Sequence, residues 1–242
     1  MGVLTAVAAL LGAGTRACAV CGARLTGRHQ VDRQGRPFCL AHGAAPLCPE
    51  CGRLEARPTP DGTRLCPICA VGGVHQESHA RAILDQVRGD LQRLGFPLPG
   101  GPMAIHLVPR GALNPQANGH GPAACEGRVA WRRWDDGTLE VLGIWIQRGL
   151  PPVSSGRIIA HELGHLWLIG ARHLALPPLK AEGACELCAW LWLTARKRPQ
   201  AAFKAATMER NPDPVYGAGF RAARRRYRTR GLASLEQWLK EA

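Results

Sequence analysis

The chain is 242 residues long and 46% hydrophobic, enough for one large domain or two smaller ones with a substantial core. Lys and Arg number 31 against 18 Asp and Glu, a formal charge of +13, which favours acidic partners such as nucleic acid, an anionic membrane surface or an acidic protein. Of ten cysteines, seven fall between Cys18 and Cys69 in CxxC and CxxH pairs, which excludes a disulfide framework and points to a reducing, cytoplasmic setting.

Residues 1–16 form an apolar segment that lacks a basic start and a small-x-small cleavage site and is too short to span a bilayer. A packed or frayed helix is expected there in preference to an export signal or an anchor. Residues 17–72 hold two sets of four ligands: Cys18, Cys21, Cys39 and His42, then Cys48, Cys51, Cys66 and Cys69. Each pair sits on a tight turn that offers two ligands to one tetrahedral ion, and two pairs close a structural site. The expectation is a LIM-like or zinc-ribbon module with two structural zincs, whose Thr26-Gly27 and Asp61-Gly62 steps turn small hairpins. Closed sites leave no position for chemistry, so the module serves stability or partner binding. His29 falls between the ligand pairs and is expected in solvent.

A connector over residues 73–100 carries an amphipathic helix, with Ile83, Leu84, Val87, Leu91 and Leu94 recurring at three and four and Gly95 ending it. Residues 101–242 read as one catalytic domain. It opens with a strand at Met103 to Val108 and a loop at Asn114 to Gly121; Cys125 stands alone nearby as a free thiol. Leu139 to Gln147, LEVLGIWIQ, is the strongest strand signal, and two roles stay open for it: an exposed strand to which an extended substrate adds, or a buried strand.

Past Pro151 and Pro152, with Ser154 or Ser155 as cap and Gly170 as stop, SGRIIAHELGHLWLIG reads as a helix. His161 and His165 lie four apart on one face with Glu162 beside them, the HExxH arrangement of zinc hydrolases. A metal there polarises a water, and the neighbouring carboxylate takes its proton as it attacks a carbonyl. The flanks are apolar, so the helix is expected to be buried, where unpartnered histidines are costly.

A catalytic zinc usually takes three protein ligands. The next helix, LKAEGACELCAWLWLTARK, offers Glu182 and Glu186 on one face of an otherwise apolar segment. Spacing from His165 alone does not choose between them. If the earlier one coordinates zinc, the later sits a turn further along, where it accepts a proton from a ligand histidine; the reverse leaves Glu182 without a partner. Gly183 would also admit a close approach of the metal helix, and gluzincin-type enzymes, which the domain resembles, use the same order. Cys185 and Cys188, a further CxxC, are expected to pack in the core.

Arg221, Arg224, Arg225, Arg226, Arg228 and Arg230 crowd one segment with Tyr227, ahead of Leu232, Leu235, Trp238 and Leu239 at helical spacing. Phosphate binding is one reading. An exposed helix face whose apolar side packs on the domain is the favoured one. Tyr216, in a glycine-rich turn, is the candidate donor to an oxyanion, because no histidine follows His173 and the chain has only 2 tyrosines.

The LIM-like pairs, the connector, GRIIAHELGHLWL, the EGAC helix and NPDPVYGAGFRAA resemble, in this order, the C-terminal half of the plant DA-one family of LIM-domain peptidases activated by ubiquitin. LVPRGALN from Leu107 to Asn114 and the Gly149-Leu150-Pro151 step extend the likeness, which runs from Pro37 to the C-terminus. The resemblance implies a zinc endopeptidase acting on protein substrates, with His161 and His165 as ligands, Glu162 as catalytic carboxylate, Glu182 as third ligand, and a ubiquitin or ubiquitin-like partner. The expected architecture is α+β: a zincin-like, gluzincin-type metallopeptidase domain preceded by a small two-zinc LIM-like or zinc-ribbon module, with one catalytic and two structural zincs. Two alternatives stand beside it. One is an enzyme similar to SprT-like proteases acting on DNA-bound proteins, whose sites use a third histidine where this chain offers glutamate. The other is a zinc-binding interaction scaffold without turnover, against which the intact Glu162 argues. No membrane partner is expected.

Overall fold

A computed structural model of the chain describes residues 16–59, 63–113, 126–171, 173 and 175–241. The apolar N-terminal segment, the Asp61-Gly62 step, the Asn114 to Gly121 loop and Cys125 lie outside the described residues.

The fold is mixed α and β, with the cysteine-rich module near the N-terminus. That module is built from two short hairpins, β1 (Gln30–Val31) with β2 (Pro37–Phe38) and β3 (Arg57–Pro58) with β4 (Arg64–Leu65), followed by α1 (Pro67–Val71). The first hairpin turns over residues 32–36 and not at Thr26-Gly27. The Asp32 carboxylate accepts the backbone N–H groups of Gln34 and Arg36 there, closing a turn that a flexible Thr-Gly step does not specify.

The expected amphipathic helix is α2 (Glu77–Arg93), which buries Ile83, Leu84, Val87 and Leu91. It packs on the metal helix α3 (Pro152–Gly170) and on β5 (Ile105–Val108), so it forms one wall of a core shared with the HExxH segment. The sheet has the order β5-β7-β6: β7 (Leu139–Gln147) runs parallel to β5 and antiparallel to β6 (Gly127–Arg133). β7 pairs with β6 along its length and with β5 over Ile144–Gln147, where Ile144, Ile146 and Gln147 are buried, so the buried role holds for the second half of LEVLGIWIQ.

Four helices follow: α4 (Pro178–Thr194), α5 (Pro199–Glu209), α6 (Tyr216–Arg230) and α7 (Leu232–Lys240). Neither Ser154 nor Ser155 caps α3. The helix begins with Pro152, whose missing N–H suits the first turn, so both serines fall inside it. Ser155 Oγ donates to the Leu150 carbonyl at 3.3 Å, and Ser154 Oγ donates to Glu50.

Glu50 lies between the ligands Cys48 and Cys51 and is buried, yet it also accepts from Lys204 Nζ at 2.8 Å. Phe203 of the same helix face sits so close to Gly52 that a Cβ there would lie 2.7 Å from its ring. The second cysteine set is thus bolted to α3 and α5. Breaking one side of a buried ion pair typically costs about 3–5 kcal/mol.

The metal helix approaches α4 at Gly164, where a Cβ would meet Cys185 Cα at 2.9 Å. Gly183 has a different neighbour from the expected one: a Cβ on it would stand 2.4 Å from the Gly219 carbonyl carbon, so it admits α6 and not α3. Of the glycines of YGAG, Gly219 therefore serves a helix crossing, while Gly217 makes room for the Asn211 carbonyl.

Gly231, at φ +61, splits the C-terminal stretch into two helices. Arg221 donates to the Asn211 carbonyl at 2.6 Å, Arg224 pairs with Glu209 at 3.1 Å and lies over the Trp190 ring, and Arg226 pairs with Glu241. With Leu235, Trp238 and Leu239 buried on α7, the packed-face reading of this stretch holds.

Candidate metal centre

The two cysteine sets each come together. Within Cys18, Cys21, Cys39 and His42, and within Cys48, Cys51, Cys66 and Cys69, all ligand atoms lie within 4.8 Å of one another. Zinc–sulfur bonds of about 2.3 Å and tetrahedral angles require sulfurs about 3.8 Å apart. Cys51 and Cys66 Sγ stand 3.6 Å apart, and His42 Nδ1 is 3.7 Å from Cys18 Sγ and 3.0 Å from Cys39 Sγ. Gly22 and Gly52, at φ +74 and +72, follow the first CxxC of each set and let their N–H groups return to the Cys18 and Cys48 carbonyls. Hydrogen bonds from Cys51 and Cys69 hold the Cys48 thiol far below its usual range, and Cys51 is pushed up to about 12 by the same contact. The spacing of these ligand atoms suits a tetrahedral ion, and the module is a zinc-binding one. His29 stays outside both sets and is half-buried, its Nδ1 on the Gly27 carbonyl at 3.1 Å.

The HExxH residues converge with those of α4. Glu182 Oε2 lies 3.2 Å from His161 Nε2 and 3.7 Å from His165 Nε2. A tetrahedral ion with bonds of about 2.0–2.1 Å spaces its ligands about 3.4 Å apart, which these two separations match, and the ligand nitrogens of the two histidines lie within 4.8 Å of each other. Glu186 accepts from His161 Nδ1 at 2.9 Å, one turn beyond Glu182. Cys185 also lies within 4.8 Å of the ligand nitrogens of both histidines. It is fully buried against Gly164, burial pushes its thiol well up, and it and Cys188 belong to the core as expected.

Glu162 is buried beside this triangle and accepts the backbone N–H of Val129 on β6. Gly127 touches it too, since a Cβ there would stand 2.9 Å from Glu162 Oε1. Burial pushes the Glu162 carboxyl up to about 7. Burial alone would depress His161, but its bonds to Glu182 and Glu186 carry it up to about 10 in the metal-free chain, so a metal has to displace a proton from it. Burial and the neighbouring His161 charge push His165 down to about 4, leaving it neutral and ready to ligate.

Tyr216 lies with its ring 6.3 Å from that of His161, nearly parallel to it. It opens helix α6 where a turn was expected, because the Asp213 carboxylate caps the helix by accepting the Val215 and Tyr216 N–H groups at 2.8 Å.

With that geometry in place, a family model described as DA1-like, Protein DA1, matches residues 131–207, which span the end of β6, β7, the HExxH helix, α4 and most of α5. Over these residues the chain is similar to the DA1 family. It is 24% identical to Protein DA1 of Arabidopsis thaliana over 86% of its own length and 52% of that protein. It is 25% identical to the LIM domain-containing protein HDR3 of Oryza sativa subsp. japonica, over 69% of this chain and 41% of that protein. The chain thus spans about half or less of the length of these relatives. No solved structure matches it.

Two features of this site were missed by the sequence reading. Val129 contributes a backbone N–H, which no side-chain pattern marks. Arg157 sits one turn before His161, with Nη1 3.9 Å from Glu186 Oε1 and Nη2 on Glu126. Arg157 was open to inference, as the one cation in an otherwise uncharged run ahead of HExxH.

The zinc-loaded chain is expected to carry about three zincs, by elemental analysis after gel filtration. A mild chelator should remove the HExxH metal ahead of that of the second cysteine set, since His165 and Glu182 are 27% and 22% exposed while all four of those cysteines are buried. A total of one zinc per chain contradicts this count.

Proposed function

We propose that the chain is a zinc-dependent endopeptidase of gluzincin type, working in the cytoplasm on protein substrates. The reading is carried by one observation: His161, His165 and Glu182 form a zinc-sized triangle with Glu162 beside it and Glu186 behind His161. The zinc, when bound, supplies Lewis-acid polarisation of a water and of the scissile carbonyl. Glu162 receives the proton of the attacking water and passes it to the leaving amine, and its bond from Val129 holds the carboxylate in place for both steps. Tyr216 is the donor to the developing oxyanion.

An extended substrate would add to the outer edge of β6. The Gln147 N–H bonds the Glu126 carbonyl, and alternation along an antiparallel pair then turns the backbones of Gly127 and Val129 away from β7, beside Glu162. The resemblance to ubiquitin-activated peptidases supports a ubiquitin or ubiquitin-like regulator. The alternative of a protease acting on DNA-bound proteins is weaker, since its sites use a third histidine where this chain brings Glu182 to the two histidines.

The test is cleavage of casein and of a peptide library by the zinc-loaded chain, with and without chelator and with zinc restored. Chelator-sensitive turnover recovered by zinc is expected. A fully zinc-loaded chain that cleaves nothing, with or without a ubiquitin-like protein added, favours the interaction-scaffold alternative.

A further inference from the structure

We propose that Arg157 is a positioning residue of the metal site: from one turn ahead of His161 it holds Glu186 against that histidine and ties both to the start of β6 through Glu126. The proposal rests on the reading of His161, His165 and Glu182 as zinc ligands.

The geometry begins with Glu186, a buried carboxylate on α4. The same oxygen, Oε1, meets His161 Nδ1 at 2.9 Å and Arg157 Nη1 at 3.9 Å. The other guanidinium nitrogen, Nη2, bonds Glu126 Oε2 just ahead of β6. One side chain thus connects the metal helix, α4 and the strand that presents Val129 to Glu162. Arg157 is 17% exposed and Glu186 9%, so solvent screens this contact far less than a surface pair.

The chemistry calls for a cation at this position. A histidine bound to zinc through Nε2 keeps its proton on Nδ1 and is itself neutral, so its hydrogen bond to Glu186 leaves the buried carboxylate charge to be met by something else. Arg157 supplies that charge from within the same helix. Its planar fork reaches two carboxylates on different elements at once, which the single ammonium of a lysine does not. Two further largely buried cations, Lys204 and Arg196, pair instead with Glu50 and Asp90.

The test reads zinc affinity at the HExxH site by competition with a chromophoric chelator, with the cysteine sites loaded, so it does not depend on peptidase activity. Glu186→Gln should weaken this site about 10- to 100-fold, as loss of a histidine's outer partner usually does. Arg157→Gln is expected to weaken it about 10-fold. The double variant should be no weaker than Glu186→Gln alone, because Arg157 acts through that carboxylate. A merely structural Arg157 gives instead an additive loss in the double variant, and that outcome, or wild-type affinity in Arg157→Gln, overturns the proposal. Should Arg157→Gln fail to fold, Arg157→Lys carries the test: a partial loss that vanishes in the Glu186→Gln background supports the proposal, and wild-type affinity overturns it. A wild-type chain that takes up no third zinc overturns the metal reading itself. A chain that binds zinc as described and cleaves nothing overturns the proposed function alone.

Discussion

Glu162→Gln should retain zinc and fold while losing about 10²- to 10⁴-fold in kcat, the range a positioned general base contributes. The substitution suits the test because it changes little else. Glu162 is buried and packed against Gly127, and a glutamine of the same shape still accepts the Val129 N–H through its amide oxygen. What it loses is the ability to take a proton. Thermal melts and zinc content should match wild type; retention of near-normal turnover refutes the mechanism. The pH profile gives a second check. Burial raises the Glu162 carboxyl to about 7 in the metal-free chain, and a bound cation draws it down again. The base works only when ionised, so activity should be lost as pH falls through a limb at or below about 7, and this limb should be absent from the residual activity of the variant.

The sequence carried the ligands further than it carried their surroundings. HExxH, the ExxxE pair and the cysteine spacings are local patterns that put His161 with His165, and Glu182 with Glu186, on one helix face each, and the packing of α3 on α4 brings the two faces together. The partners of glycine are not local. Gly183 looked like a seat for the metal helix, but a missing side chain says only that something comes close, and Gly219 of α6 is what does. Strand order is equally long-range: LEVLGIWIQ was recognisable as a strand, while its place between two others depends on β5 and β6, separated from each other by nearly twenty residues. α5 went unread because its face toward the module, with Phe203 and Lys204, matters only once Glu50 and Gly52 are beside it.

The assignment of the third ligand yields the sharpest contrast between two similar changes. Glu182 and Glu186 are both on α4, both carboxylates and both within reach of His161, but they touch opposite nitrogens of its ring: Glu182 at Nε2, 3.2 Å away, and Glu186 at Nδ1, 2.9 Å away. Of the two, Glu182 also approaches His165, at 3.7 Å from Nε2, so it alone completes a triangle. Glu186 is held on the far side of the imidazole, where an ion bound at Nε2 is out of reach. Glu182→Gln therefore exchanges a charged oxygen ligand for a weak amide and should leave the HExxH site empty after dialysis. Glu186→Gln keeps all three ligands and an acceptor for Nδ1–H, so it should hold zinc with affinity lowered about 10- to 100-fold. Both variants should keep the zincs of the cysteine sets, whose ligands lie elsewhere in the chain. Metal analysis of the two purified variants decides between the carboxylates: full zinc in the Glu182 variant beside an emptied HExxH site in the Glu186 variant reverses the assignment, and with it the direction in which α4 presents its face to the metal.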